Sequence, residues 1–233
     1  MSIIEFKGVS KAFDSVKVLD GLDFKVEKGE ILAIVGPSGT GKSVTLKHIV
    51  GLLDPDRGEV TVEGKPRIGY LFQSGALLAW LTVYENVALP LKETTRLKED
   101  EIDRLVRDAL KEVGLEDAAE KYPGEISGGM QKRAGLARAI VRKADIVLYD
   151  EPTSGLDPVT TITIHRLIKK LNRDHGITSI VVTHDIQGAL HLADRIMLLK
   201  DGKAVETAKV DEFVHSANPA VQEFLTAMKG EIK

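Results

Sequence analysis

Three groups of residues in this chain have the types and spacing for phosphate chemistry. The first is the run Gly36-Pro37-Ser38-Gly39-Thr40-Gly41-Lys42-Ser43. Glycines let backbone N–H groups curl around phosphate oxygens with no Cβ in the way. Lys42 is spaced to reach β- and γ-phosphates, and the Ser43 hydroxyl can ligate Mg²⁺. A helix beginning at Lys42 points its positive end at the anion. The plain alternative is a chance Gly/Ser turn. Against it, the buried strand "EILAIVG" (30–36) precedes the run and a helix reading from Lys42 to Leu53 follows it, which is the context such a loop requires.

The second group is scattered in sequence. "IVLYDE" (146–151) ends an apolar strand in two acids. Asp150 can hold the magnesium, through water, and Glu151 can polarise an attacking water. Taken alone, such a pair is more often a solvated loop or a helix cap; the upstream loop reverses that balance. His184, in "VVTHD", also ends a strand and could hydrogen-bond a γ-phosphate, although a lone histidine is more often structural. Gln73 ends "IGYLFQ" and could touch Mg²⁺ or the water, or be only a polar residue leaving a strand. Phe13, in an N-terminal loop, could stack on an adenine ring or be a core side chain.

The third group is "ISGGMQKRAGLARA" (126–139). Ser127 is a good helix cap. Gly128 and Gly129 leave backbone N–H groups accessible. Met130, Ala134, Ala137, Ile140 and Val141 then fall on one apolar face, with Lys132, Arg133, Arg138 and Arg142 off it. A capped amphipathic helix with a solvated basic side accounts for this pattern. So does a second phosphate-binding helix terminus, which closes the uncovered face of a nucleotide held by another copy of the chain.

These groups need a scaffold. "IIEFKGV", "LDFKVEKG", "GEVTVEG" and "RIGYLFQ" read as strands, and "DIVLYDE" and "TSIVVTHD" as buried ones. "RIMLLKDGKAVET" reads as a hairpin turning at Asp201-Gly202. Asp157-Pro158 is a helix start, with Asp as cap and Pro first. From about Ser74 to Lys143 no strong strand signal appears. The clearest helix there carries Ile102, Leu105, Val106, Ala109, Leu110 and Val113 on one face and stops at Gly114. Buried strands joined by helices predict an α/β fold with a mainly parallel sheet, whose ligands bind at the carboxyl ends of the strands. The loop, the acids and His184 all follow such ends. The predicted organisation is one domain over 1–233. Residues 1–73 and 144–210 form the nucleotide-binding core, with an N-terminal antiparallel part. Residues 74–143 form an inserted helical subdomain, and 211–233 a helical tail.

Bulk properties narrow the function classes. A net charge of −3 gives no global pull toward nucleic acid or anionic lipid. Absence of cysteine excludes disulfides and thiolate metal sites. No apolar run approaches the roughly 20 residues a membrane helix needs, and no signal-peptide layout is visible. If the protein works at a membrane, a partner brings it there.

In order and context, Phe13, Gly36–Ser43, Gln73, "ISGGM", Asp150-Glu151, "SGLD" (Ser154–Asp157) and His184 resemble the ATP-binding subunits of ABC transporters, over residues 3 to 210. The resemblance implies a phosphate-loop (RecA-like) ATPase that uses ATP and Mg²⁺. It implies that Ser127, Gly128 and Gly129, with Met130 beside them, bind the γ-phosphate of ATP held by the opposite subunit of a homodimer. It places Asp157 in the loop communicating between the two sites. Lys42, Glu151 and His184 carry the catalysis. Two departures stand out. The usual Leu-Ser-Gly-Gly-Gln has Ile126 first and Met130 last, and Val44 replaces a common Thr after Ser43. These, with "LFQSGALLAWLTVYENVALPL", look like the Mla/MCE-type phospholipid-trafficking branch. That implies integral permease subunits, an MCE-type lipid-binding protein, and a peripheral place on the cytoplasmic face of the inner membrane. Two alternatives are an importer ATPase for amino acids or another small polar solute, and a soluble ABC-type ATPase acting on nucleic acid or ribosomes. The missing second cassette and the charge balance argue against the last.

Overall fold

The computed structural model describes residues 1–230; the last three residues of the expected helical tail, 231–233, lie outside the described residues. In chain order the strands and α-helices are β1 (Ser2–Phe13), β2 (Val16–Glu27), β3 (Ile31–Val35), α1 (Lys42–Ile49), β4 (Arg57–Val62), β5 (Ile68–Leu71), α2 (Val83–Thr94), α3 (Glu99–Glu112), α4 (Gly128–Ile140), β6 (Ile146–Asp150), α5 (Pro158–His175), β7 (Thr178–Thr183), α6 (Ile186–Leu192), β8 (Arg195–Lys200), β9 (Lys203–Lys209), α7 (Val210–Val214) and α8 (Pro219–Gly230). They fall into two compact units. One comprises Met1–Pro66 and the chain from Asn172 onward, the other Arg67–Leu171.

In the first unit, β1 pairs antiparallel with both β2 and β4. Ile4, Phe6 and Val9 point into its core, and the Phe6 and Phe24 rings stack at 4.4 Å. Both hairpin strands run to twelve residues, well beyond the apolar segments read from sequence. Their outermost residues, Ala12 and Phe13 against Val16 and Lys17, are exposed, so no alternation of burial marks the ribbon's end. A second sheet layer has the order β7-β3-β8-β9. There β3 is parallel to β7 and β8, while β8 and β9 form an antiparallel hairpin. The hairpin turns at Asp201-Gly202, both at positive φ, as its sequence predicts. All five residues of β3 are buried. Helix α1 ends at Ile49, short of the expected Leu53, because Gly51 enters the left-handed region (φ +68°) and turns the chain. Phe213, Val221 and Leu225 pack on Ala33, Val35 and Ile196, so α7 and the described part of the tail belong to this core.

In the second unit β5 and β6 pair in parallel, and helices α2 to α4 with most of α5 belong to the same unit. No strand lies between Ser74 and Lys143, as expected. Helix α4 presses on β5: a Cβ on Gly69 would sit 2.2 Å from the Ala139 carbonyl oxygen. Asn86 is fully buried and ties down the loop ahead of α2. Its Oδ1 accepts from the Leu78 N–H, and its Nδ2 lies within 3.1 Å of the Leu78, Leu81 and Thr82 carbonyls.

Candidate functional site

In the first unit, β3 delivers the chain straight into the glycine-rich loop. Gly41 caps α1 at φ +97°, and a Cβ there would meet the Leu19 side chain at 2.8 Å and the Val18 carbonyl at 3.0 Å. Only glycine serves both demands. Lys42 is 7% exposed, and its ammonium donates to the Gly36 and Pro37 carbonyls, each at 2.9 Å. A buried cation is thereby held inside the curve of the loop, where its field is least screened. Pro37, Ser38 and Gly39 are exposed, Thr40 and Ser43 half-buried. Val44 is half-buried too, and its carbonyl accepts from His48 Nδ1 at 2.7 Å. His184 is exposed just past β7. Phe13 is not in a loop. It is the last residue of β1, paired with Val16 across a two-residue turn, and 42% exposed. The exposure removes the core reading, because a ring in the core would be covered. Lys11 Nζ lies 5.8 Å from its centroid.

In the second unit, β6 ends at Asp150, which is 8% exposed. The Tyr70 hydroxyl, on β5, donates to Asp150 Oδ2 at 3.0 Å. Burial and the neighbouring carboxylate raise the Tyr70 pKa far above its ordinary value, so the phenol keeps the proton it donates. Glu151 follows at φ +48°, a left-handed conformation that costs a non-glycine residue of order 1–3 kcal/mol and is typical of functional positions. Gln73 lies two residues beyond the end of β5 and is exposed.

Helix α4 begins as expected, with Ser127 Oγ accepting from the Met130 N–H at 3.3 Å. Its two glycines differ. A Cβ on Gly129 would meet Thr160 Cγ2 at 2.5 Å, and Thr160 cannot swing away freely because its hydroxyl donates to Asp157 Oδ2 at 2.5 Å. Gly128 is exposed and has only Leu156 Cδ2 at 3.8 Å. Gly129 is therefore explained by packing within the chain, Gly128 is not. Gly129→Ala is expected to lower stability by about 1–3 kcal/mol through overpacking. Gly128→Ala should leave the melting temperature within about 2 °C. Thermal denaturation of the two variants checks both.

Asp157 caps α5 as its sequence predicts, accepting from the Val159 and Thr160 N–H groups at 3.0 Å. The Thr160 hydroxyl bond, with those backbone donors, holds its carboxyl below the usual range.

Of the four cations expected on the solvated side of α4, Arg142 lies past the end of the helix and is exposed, whereas the other three are engaged by backbone. Arg133 donates to the Val113 and Gly114 carbonyls, and Arg138 to those of Gly75 and Ala76. Lys132 is 5% exposed and donates to the Gln73 and Glu151 carbonyls. Loops fold back over α4 and offer it orphan carbonyls, which helical spacing alone does not reveal. Tyr70 and Asn86 are residues sequence reasoning passed over, and Lys132 it reads only as a cation off the apolar face.

A family profile described as ABC transporter matches residues 19–154, more than half of the chain. The chain belongs to that family. It is an ATP-binding cassette with ATPase activity. Among its relatives is the intermembrane phospholipid transport ATP-binding protein MlaF of Haemophilus influenzae, 39% identical over 99% of this chain and 91% of that protein. Protein trigalactosyldiacylglycerol 3 of Arabidopsis thaliana is 39% identical over 99% of this chain and 76% of that one. The probable ribonucleotide transport ATP-binding protein mkl of Mycobacterium leprae is 40% identical over 97% of this chain and 69% of that one. A solved dimeric bacterial ABC transporter cassette superposes with a TM-score of 0.82 at 35% identity, covering 89% of this chain and 98% of that one. A cassette in a dimeric post-hydrolysis state with ADP and Pi superposes with a TM-score of 0.80 at 35% identity, over the same shares. The fold expectation and the family resemblance are both borne out.

Proposed function

We propose that this cassette powers the movement of phospholipid between membranes, as a homodimer docked on integral permease subunits that work with an MCE-type lipid-binding protein. The observation that carries the reading is the near full-length likeness to MlaF. No helix among the described residues is long and apolar enough to cross a membrane, so a peripheral place on the cytoplasmic face of the inner membrane would come from those partners. The region from Gln73 to Pro90 is the part we assign to coupling, because it leads from the end of β5 into the helical segment.

The residue roles follow the same reading. The loop Gly36–Val44 binds the ATP phosphates, with Lys42 neutralising developing charge. Phe13 offers its exposed ring to the adenine. Ser43 and Asp150 are hard oxygen donors, with the Gln73 amide as a further one. No group of three or more His, Cys, Asp or Glu among the described residues could hold a metal by itself. That suits Mg²⁺, which takes one or two protein ligands and completes its shell with water and phosphate oxygens; bound there, it would neutralise phosphate charge. Glu151 orients and deprotonates the attacking water, and His184 steadies the γ-phosphate. Ser127, Gly128, Gly129 and Met130 present the start of α4 to the nucleotide of the second copy, and Asp157 links the two sites. The exposed, packing-free Gly128 supports an approach from outside the chain.

A second reading has its own observation: the mycobacterial relatives carry a ribonucleotide-transport name at 40% identity, which fits a small polar cargo. Purification with the co-isolating membrane subunits, followed by reconstitution into proteoliposomes, decides between them. ATP-dependent transfer of labelled phospholipid to acceptor vesicles is expected. ATP-dependent movement of a small polar solute, with no lipid transfer, would replace the first reading by the second.

A further inference from the structure

We propose that Lys132 is a positioning residue for hydrolysis, fixing the backbone of Glu151 and of Gln73 from the signature helix. The inference rests on reading Glu151 as the base and goes beyond it. Lys132 lies on α4, five residues after the capping Ser127. Its side chain is almost fully covered, at 5% exposure, and its ammonium donates to the Glu151 carbonyl at 3.1 Å and to the Gln73 carbonyl. A buried ammonium is costly unless it is hydrogen-bonded, and burial does lower the Lys132 pKa, opposed by the Glu151 and Asp150 carboxylates. The acceptors it uses belong to the acid and to the glutamine that the ATPase reading places at the water.

The backbone of Glu151 makes the contact consequential. At φ +48° that residue sits in a conformation that persists only where its surroundings hold it. A charged donor on its carbonyl supplies such a hold and sets the direction of the Cα–Cβ bond carrying the carboxylate. The same ammonium holds the loop at Gln73. One cation on α4 therefore ties the helix bearing Ser127 and Gly128 to both groups, so a shift of α4 is transmitted to them as a shift of backbone. A fastener serving packing alone would need carbonyls, but not these two.

The test compares Lys132→Met, which keeps the length and loses the donors, with wild type and with Glu151→Gln in the ATPase assay. The expected result is a fall in kcat of about tenfold or more from misplacement, with KM and ATP affinity within about twofold. In the Glu151→Gln background the same substitution should cost several-fold less, because one of the two groups it positions is already gone and only the hold on Gln73 remains. Lys132→Gln, whose shorter amide keeps donors, should fall between, and it serves as the test variant if Lys132→Met does not fold. Turnover within about twofold of wild type in the folded variant, or an equal loss in both backgrounds, overturns the proposal. Wild-type turnover by Glu151→Gln itself would instead remove the reading on which it rests.

Discussion

Glu151→Gln is expected to lower the ATPase kcat by roughly 10²–10⁴-fold, the usual contribution of a positioned general base. Glutamine keeps the size of the side chain and loses the charge and basicity. The left-handed backbone at φ +48° and the bond from Lys132 to the carbonyl do not depend on the carboxylate, so the loop geometry survives. ATP binding should survive as well, since the phosphate loop and its buried Lys42 are held by other bonds. Steady-state phosphate release with a parallel nucleotide-binding titration measures both. Wild-type turnover would assign the base to another group.

Ser127→Arg is expected to reduce turnover by about 10²-fold or more, comparable to removing a group that stabilises transition-state charge, while a single copy still binds ATP. Ser127 and Gly128 are exposed, and among the described contacts the Ser127 hydroxyl only caps α4. Loss of that cap costs about 1 kcal/mol, too little to unfold a domain of this size. In the homodimer proposed above, a large cation on this face would block the approach of another copy's nucleotide. Ser127→Asp separates the two effects. It keeps a capping oxygen, and so the melting temperature, but turns a carboxylate toward phosphate and should be equally inactive. Untouched hydrolysis in both variants would leave α4 a packing helix only.

The strand, glycine-rich turn and helix from Ile31 to Ile49 were legible because all three signals lie within one short stretch of sequence. The caps at Ser127 and Asp157 and the turn at Asp201-Gly202 were legible for the same reason: each is a local bond or a local dihedral. Helix α2 was missed although Thr82 and Glu85 form a full capping box, because Pro90 inside it argues against a helix. The roles of Lys132, Arg133 and Arg138 were not legible. A cation off the apolar face of a helix looks solvated until a distant loop brings it a carbonyl, and helical periodicity carries no information about such loops. Tyr70 and Asp150 are eighty residues apart, and only the pairing of β5 with β6 joins them. Phe13 was misplaced because an exposed ribbon end has no buried face to mark it as a strand.

In the proposed mechanism a second copy of the chain completes the site. The mass of the Glu151→Gln protein in solution, by sedimentation equilibrium with saturating ATP and magnesium, tests it most directly. The expected mass is 25.4 kDa without nucleotide and twice that with ATP. Adding Ser127→Arg should return it to the single-chain value. A single-chain mass at saturating ATP, or a dimer indifferent to Ser127→Arg, would contradict it.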